Sequence, residues 1–284
     1  MSLARVISRA AVGVDAPEVT VEVHAGGGLP RVSMVGLPQT AVRESKDRVK
    51  AALLNAGFDF PDGLITISLA PADLPKEGSR FDLPIALGIL AASGQVIDRR
   101  FDKIEFIGEL SLGGGLNPVR GVLPVAIQAG NRDRELVVPE PNGPEAALAA
   151  NATSRCAASL LEVVAWLDGR ERLAIAKPSP HPPAVNGEDL SDVYGQARAR
   201  RALEVAAAGM HNLLFSGPPG TGKTMLASRL PGILPPLEEQ EALEAAAVAS
   251  VSQAGLDLSR WGQRSFRAPH HTASSAALVG GGSR

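Results

Sequence analysis

"FSGPPGTGKTMLA", residues 215–227, decides how the second half of the chain is read. Gly217, Pro218, Pro219, Gly220, Thr221, Gly222, Lys223 and Thr224 fit the spacing glycine, four residues, glycine, lysine, then serine or threonine. Glycines at those steps let successive backbone N–H groups converge on phosphates, and a helix opening at the lysine adds its partial positive charge. Lys223 then reaches the β- and γ-phosphates, the Thr224 hydroxyl helps to hold Mg²⁺, and Met225 follows on the same helix, so ATP and Mg²⁺ are the expected cofactors. Upstream, "NLLF" (212–215) reads as the apolar strand that such a loop follows, and the run after Gln196 reads as an amphipathic helix. Loop, helix, strand, glycine loop and helix, in that order, begin a nucleotide-binding α/β domain.

Hydrolysis needs a second, acidic site, usually an aspartate at the end of an apolar strand. After Thr224 the acidic residues are Glu238, Glu239, Glu241, Glu244 and Asp257, and none follows such a strand. The four glutamates lie in "LEEQEALEAAAVASV", whose pattern predicts a helix with a solvated acidic face. The acidic half of the site is therefore expected past Arg284, in a longer protein.

The first half has another grammar. "EVTVEVH" puts Val19, Val21 and Val23 on one strand face, and "GGGLP" turns into "RVSMVG", which predicts a hairpin. "TAVRESKDRVKAALLNAG" predicts a helix with Val42, Val49, Leu53 and Leu54 toward one side and Gly57 as its stop. "LITISLA" reads as a strand, and "FDLPIALGILAASG" as a helix with Asp82 as cap, Pro84 in its first turn and Gly94 at its end. Beyond it, "KIEFIGELSL" is extended, "VLPVAIQAG" helical, "ELVVP" a strand and "GPEAALAANA" a helix opening at a proline. This is a mixed α/β domain over residues 1–169. "KPSPHPPAVN" (177–186), with four prolines, marks a semi-rigid connector within residues 170–188, and the nucleotide domain takes residues 189–284.

Composition narrows the function classes. The 284 residues carry 28 Lys plus Arg against 30 Asp plus Glu, so a net charge of −2 exerts no global pull on nucleic acid or anionic lipid. Aromatics at 4% argue against a base-stacking platform for single strands. One cysteine, Cys156, excludes an intrachain disulfide and reads as a small buried residue, in keeping with a reducing cytoplasm. No apolar run suits a signal peptide or a membrane span, so a cytoplasmic protein with no membrane partner is expected.

The glycine loop together with "FRAPHHTASSAALVGGGSR" resembles the magnesium-chelatase-like AAA+ ATPases and, within them, the ComM/YifB subfamily. "VGLPQTAVRESKDRVKAAL", "LAPADLPKEGSRFDLPIALGIL" and "GELSLGGGLNPVRGVLP" extend the resemblance over the whole chain. It implies an ATPase that works as a hexameric ring of itself on branched or single-stranded DNA, promoting branch migration during natural transformation. A chelatase-type ATPase remodelling a protein partner, and a module that binds ATP without hydrolysing it, remain the other readings. The resemblance implicates Val193, Tyr194 and Gln196 in adenine contact; packing at a helix start is the competing account of Tyr194.

The resemblance also implies an N-terminal domain like the proteolytic domain of Lon, whose catalysis uses a serine and a lysine. Here Arg80 falls at the serine position, with Ser79 one step away, and Leu123 at the lysine position, so a non-catalytic relative is expected. Ser79 with Lys76 is the one conceivable substitute dyad. His270 and His271 are adjacent, point differently and have no third ligand, which argues against a metal site. Arg267, His270 and the "GGGS" turn belong either to a pore-facing loop of a ring or to an ordinary closing loop. "ARARR" (197–201) reads as a solvated helix face rather than a phosphate contact.

Overall fold

The computed structural model describes residues 2–36, 39–97, 99–179, 188–270 and 272–274. The chain divides into two compact units, residues 1–181 with 243–258, and residues 182–242 with 259–284. Most of the proline-rich connector, and with it His271 and the "GGGS" turn, lies outside the described residues.

The first unit opens on a strand that the sequence reading passed over, β1 (Ser2–Arg9), followed by β2 (Glu18–Gly26) and β3 (Arg31–Val35). Val19, Val21 and Val23 of β2 are fully buried, as their alternation predicts. The expected hairpin between β2 and β3 does not form. Instead β2 pairs antiparallel with β1 on one side and with β4 (Leu64–Ala70) on the other, and β3 lies beyond β4, parallel to it. Burial explains the exchange: Ile65, Ile67 and Leu69 are buried at period two and continue the apolar face of β2, whereas Val32 and Met34 are only half-buried and suit an edge.

Two helices cover that face. α1 (Thr40–Asn55) turns Val42, Val49 and Leu53 inward. Leu54 departs from expectation and is 51% exposed, because it sits about 100° around the helix from Leu53. Gly57, at φ +82°, follows the last turn as predicted. α2 (Asp82–Ala92) is buried almost throughout. Its Gly88 permits a close approach to the sheet, since a Cβ there would stand 2.5 Å from Val23 Cγ2. Asp82 does not cap the helix as expected. It lies inside the first turn, one position past the cap, and its buried carboxylate accepts from Arg48 Nε at 2.9 Å and from the Leu110 N–H at 3.2 Å. Burial raises the Asp82 carboxyl above its ordinary range, and the Arg48 bond opposes that shift.

The rest of the unit alternates as a mixed α/β chain should: β5 (Ile104–Phe106), β6 (Glu109–Leu110), β7 (Leu116–Asn117), α3 (Val122–Gly130), β8 (Glu135–Pro139), α4 (Gly143–Ala146), β9 (Ser154–Ala157), α5 (Leu160–Leu167) and β10 (Ala174–Ile175). Among the described residues the main sheet takes the order β10-β9-β8-β5-β1-β2-β4-β3, with β6 and β7 paired apart from it. β1, β5, β8 and β9 run parallel to one another, and the antiparallel β2 and β10 make the sheet mixed, which bears out the α/β assignment. At its centre Arg9, 3% exposed, donates to both Glu105 oxygens at 2.6 and 2.7 Å, and Arg134 adds a third bond to that carboxylate at 3.2 Å.

The second unit holds α6 (Ala197–Gly209), α7 (Lys223–Ser228) and α8 (Leu230–Ile233). α9 (Glu239–Val251) starts in it, while residues from Leu243 onward group with the first unit. The strand expected over 212–215 is absent: the segment has no regular structure and Leu214 is 90% exposed. A strand needs a neighbour to take its backbone hydrogen bonds, and no strand stands in this unit among the described residues.

Candidate nucleotide site

A small apolar core carries the glycine loop. Leu190, Val193, Leu203 and Leu226 are buried together, with Ala199, Phe215, Leu230 and Ile233 packed around them. α6, α7 and α8 thus share one anchor, and the loop from Gly217 to Gly222 hangs above it. Val193 is a core residue with 1% exposure, whereas Tyr194 next to it is 94% exposed and packs on nothing at the helix start. Gln196 braces the loop by donating its side-chain amide to the Thr221 carbonyl at 3.3 Å.

Backbone geometry in the loop demands glycine. Gly220 and Gly222 sit at φ +80° and +81°, and a Cβ on Gly222 would meet the Gln196 amide nitrogen at 2.9 Å. Lys223 folds back over the loop: its ammonium donates to the Gly217 carbonyl at 2.9 Å and the Pro218 carbonyl at 2.7 Å. The Thr221 hydroxyl donates to that same Pro218 carbonyl at 2.9 Å. Among the described residues, no backbone N–H from Gly217 to Thr224 donates to a protein acceptor. Thr224 and Met225 are exposed beside these free donors. Unengaged N–H groups, a lysine ammonium and an exposed hydroxyl in one loop form a donor set that fits a polyphosphate and its Mg²⁺.

The acidic residues stand elsewhere. Glu238 precedes α9 and Glu239, Glu241 and Glu244 lie on it, all exposed, as the reading of a solvated face predicts. No group of three or more His, Cys, Asp or Glu suited to a metal occurs among the described residues. His270 is exposed, with Nδ1 2.7 Å from the Thr272 hydroxyl, and Arg267 is exposed. In the "ARARR" run, Arg198 is exposed and Arg201 pairs with Glu204 at 2.9 Å.

In the first unit the two positions matched to a Ser–Lys dyad are both buried. Leu123 is fully enclosed, and Arg80, 5% exposed, donates to the Arg120 carbonyl at 2.6 Å. Burial pushes the Arg80 guanidinium down to about 10, with Glu145 opposing, and it remains cationic at neutral pH. Ser79 gives its hydroxyl to Glu109, and Lys76 gives its ammonium to the Pro71 carbonyl. Sequence reasoning had no signal for Glu145 or Ser250, which join this cluster from later in the chain.

Two family models match the sequence. One, described as subunit ChlI of Mg-chelatase, spans residues 21–142, and the other, described as magnesium chelatase, subunit ChlI, spans residues 189–284. Competence protein ComM of Haemophilus influenzae is 53% identical over 287 residues, covering 99% of this chain and 56% of that protein. The chain belongs to the magnesium-chelatase-like family of ComM and YifB proteins. YifB proteins of Salmonella typhimurium and Escherichia coli, both described as uncharacterized, are 51% and 50% identical, each match covering 99% of this chain and 56% of the relative. The chain thus spans little more than half the length of these ComM and YifB relatives. Among its described residues no helix is long and apolar enough to cross a membrane.

Proposed function

We propose that residues 217–224 bind the phosphates of ATP with Mg²⁺ and that the chain is the nucleotide-binding portion of a ComM-type AAA+ motor. The free N–H groups of a loop whose lysine and threonine are both in place carry this reading. Bound nucleotide would draw Lys223 from the Gly217 and Pro218 carbonyls to the β- and γ-phosphates, and Thr224 would supply a hydroxyl to the metal. Mg²⁺ supplies charge neutralisation on the phosphates when bound. Tyr194, being exposed beside Gln196, is free to lie against an adenine.

The longer protein, on this reading, assembles as a hexamer and hydrolyses ATP to remodel branched DNA, a substrate suggested by the competence name of a relative that is 53% identical. A motor that remodels a protein partner is the second reading, favoured by the chelatase description of both family models. Residues 1–169 form a non-catalytic Lon-like domain in either case. Calorimetry on this chain tests the nucleotide reading: ATP with Mg²⁺ binds weakly, and Lys223→Ala abolishes binding. Equal affinity in the variant refutes it. In the longer protein, ATP turnover stimulated by a four-way DNA junction supports the first reading, and stimulation by a protein partner alone supports the second.

A further inference from the structure

The end of α9 packs against Gly121, beside Arg80 and two positions before Leu123, the residues matched to a Lon-like dyad. The Gly121 N–H donates to the Ser250 carbonyl at 3.1 Å, and the Ser250 hydroxyl donates to the Glu145 carboxylate. Ser250 is 2% exposed, and Val251 Cγ1 lies 3.3 Å from where a Gly121 Cβ would stand. Glu145 does double duty, because the same oxygen accepts from the first amides of α3, Val122 at 3.2 Å and Leu123 at 3.1 Å.

Beside this seat sits an unbalanced charge. Arg80 has one terminal nitrogen on the Arg120 carbonyl, while its other, Nη1, is buried without a hydrogen-bond partner. A buried cation gains most from a carboxylate, and Glu145 is the acid whose field reaches it. In the docked arrangement one oxygen of that acid, Oε1, is committed to Ser250 and to α3, which fixes the carboxylate's orientation, and no ion pair joins it to Arg80 among the described residues. Two arrangements therefore compete for one carboxylate.

We propose that the end of α9 is a reversible latch, seated on Gly121 and Glu145, whose release lets Glu145 pair with Arg80. The buried hydrogen bonds at Ser250 favour the docked state, and the unpaired Arg80 favours release, so the two states lie close enough to be shifted by a modest force. The chain runs directly from the glycine loop through α7 and α8 into α9, so tension along it has a covalent path to the latch. The latch itself does not depend on the nucleotide reading.

Hydrogen exchange on the whole chain tests this, read in the peptides covering 118–128 and 243–258. Ser250→Ala should speed exchange in both about tenfold while β1, β2 and β4 keep their protection. Arg80→Met and Arg80→Gln remove the ion pair that favours release and should slow exchange in both peptides severalfold against the parent. Arg80→Lys keeps the charge and should leave exchange near the parent. Exchange within twofold of the parent in Ser250→Ala, or exchange no slower than the parent when residue 80 is neutral, overturns the proposal.

Discussion

Glu105→Gln probes the ion cluster at the middle of the main sheet. Glu105 is fully buried and accepts two bonds from Arg9 and one from Arg134. Gln keeps the shape but brings a neutral amide, so Arg9 retains its buried charge with neutral acceptors alone, the amide oxygen and the Ala16 and Gln128 carbonyls at 3.0 and 3.2 Å. Removing one member of a buried pair costs about 3–5 kcal/mol, and because the amide oxygen still accepts one bond the lower end, about 3 kcal/mol, applies here. At about 2–4 °C per kcal/mol for a unit of this size, the melting temperature falls by about 6–12 °C. Arg134 is only partly buried and also pairs with Glu18 at 2.7 Å, so its loss of Glu105 adds little.

Thermal unfolding of the whole chain, followed by far-ultraviolet circular dichroism, reads the shift. The companion double variant Arg9→Met, Glu105→Leu removes both charges and fills the space with apolar atoms, so it should melt well above Glu105→Gln. A single variant within 2 °C of the parent, or a double variant less stable than the single one, would show that buried charge does not set the cost.

Two shorter predictions concern other sites. Gly222→Ala imposes φ +81° on a residue with a Cβ 2.9 Å from the Gln196 amide, so ATP affinity by calorimetry should fall about tenfold; adding Gln196→Ala relieves the contact but not the backbone strain, and should recover only part. Burial and the nearby Glu140 raise the Cys156 thiol above its ordinary value, so less thiolate is present at neutral pH and alkylation by iodoacetamide should run slower than for free cysteine; an equal or faster rate contradicts the burial argument.

What was legible in the sequence was local. The alternation of β2, the span of α3 from Val122 to Gly130 and the run of β8 all depend on periods inside one segment. Strand neighbours were not legible, because β2 and β3 are close in sequence while the more apolar β4, arriving later, takes the place between them. Arg9 and Glu105 are 96 positions apart, and nothing in "SLARVISR" distinguishes a buried arginine from a surface one. α5 was missed despite a readable start: in "SLLE" Ser159 accepts the Glu162 N–H at 3.3 Å, and Glu162 accepts the Ala158 N–H at 2.8 Å. At the glycine loop the spacing of residues was legible and the strand before it was not, since that strand requires partners, which this unit does not offer among the described residues.

On the proposed reading, binding and chemistry separate physically in this chain. With the loop as described, Lys223 is already satisfied by neutral carbonyls, so phosphate must exchange those bonds for charge-assisted ones, a gain smaller than the bare attraction of a free ammonium. The larger share of affinity then falls to the backbone N–H groups from Gly217 to Thr224, which have no acceptor to give up. Water attack on the γ-phosphate would need, in addition, a carboxylate fixed opposite Thr224. The α9 glutamates are exposed along a helix, as a solvated face is, and do not end an apolar strand, so they are poorly suited to that task. On the proposed reading, such a chain holds nucleotide with the glycine loop, and the exposed glutamates do not supply the acid for turnover.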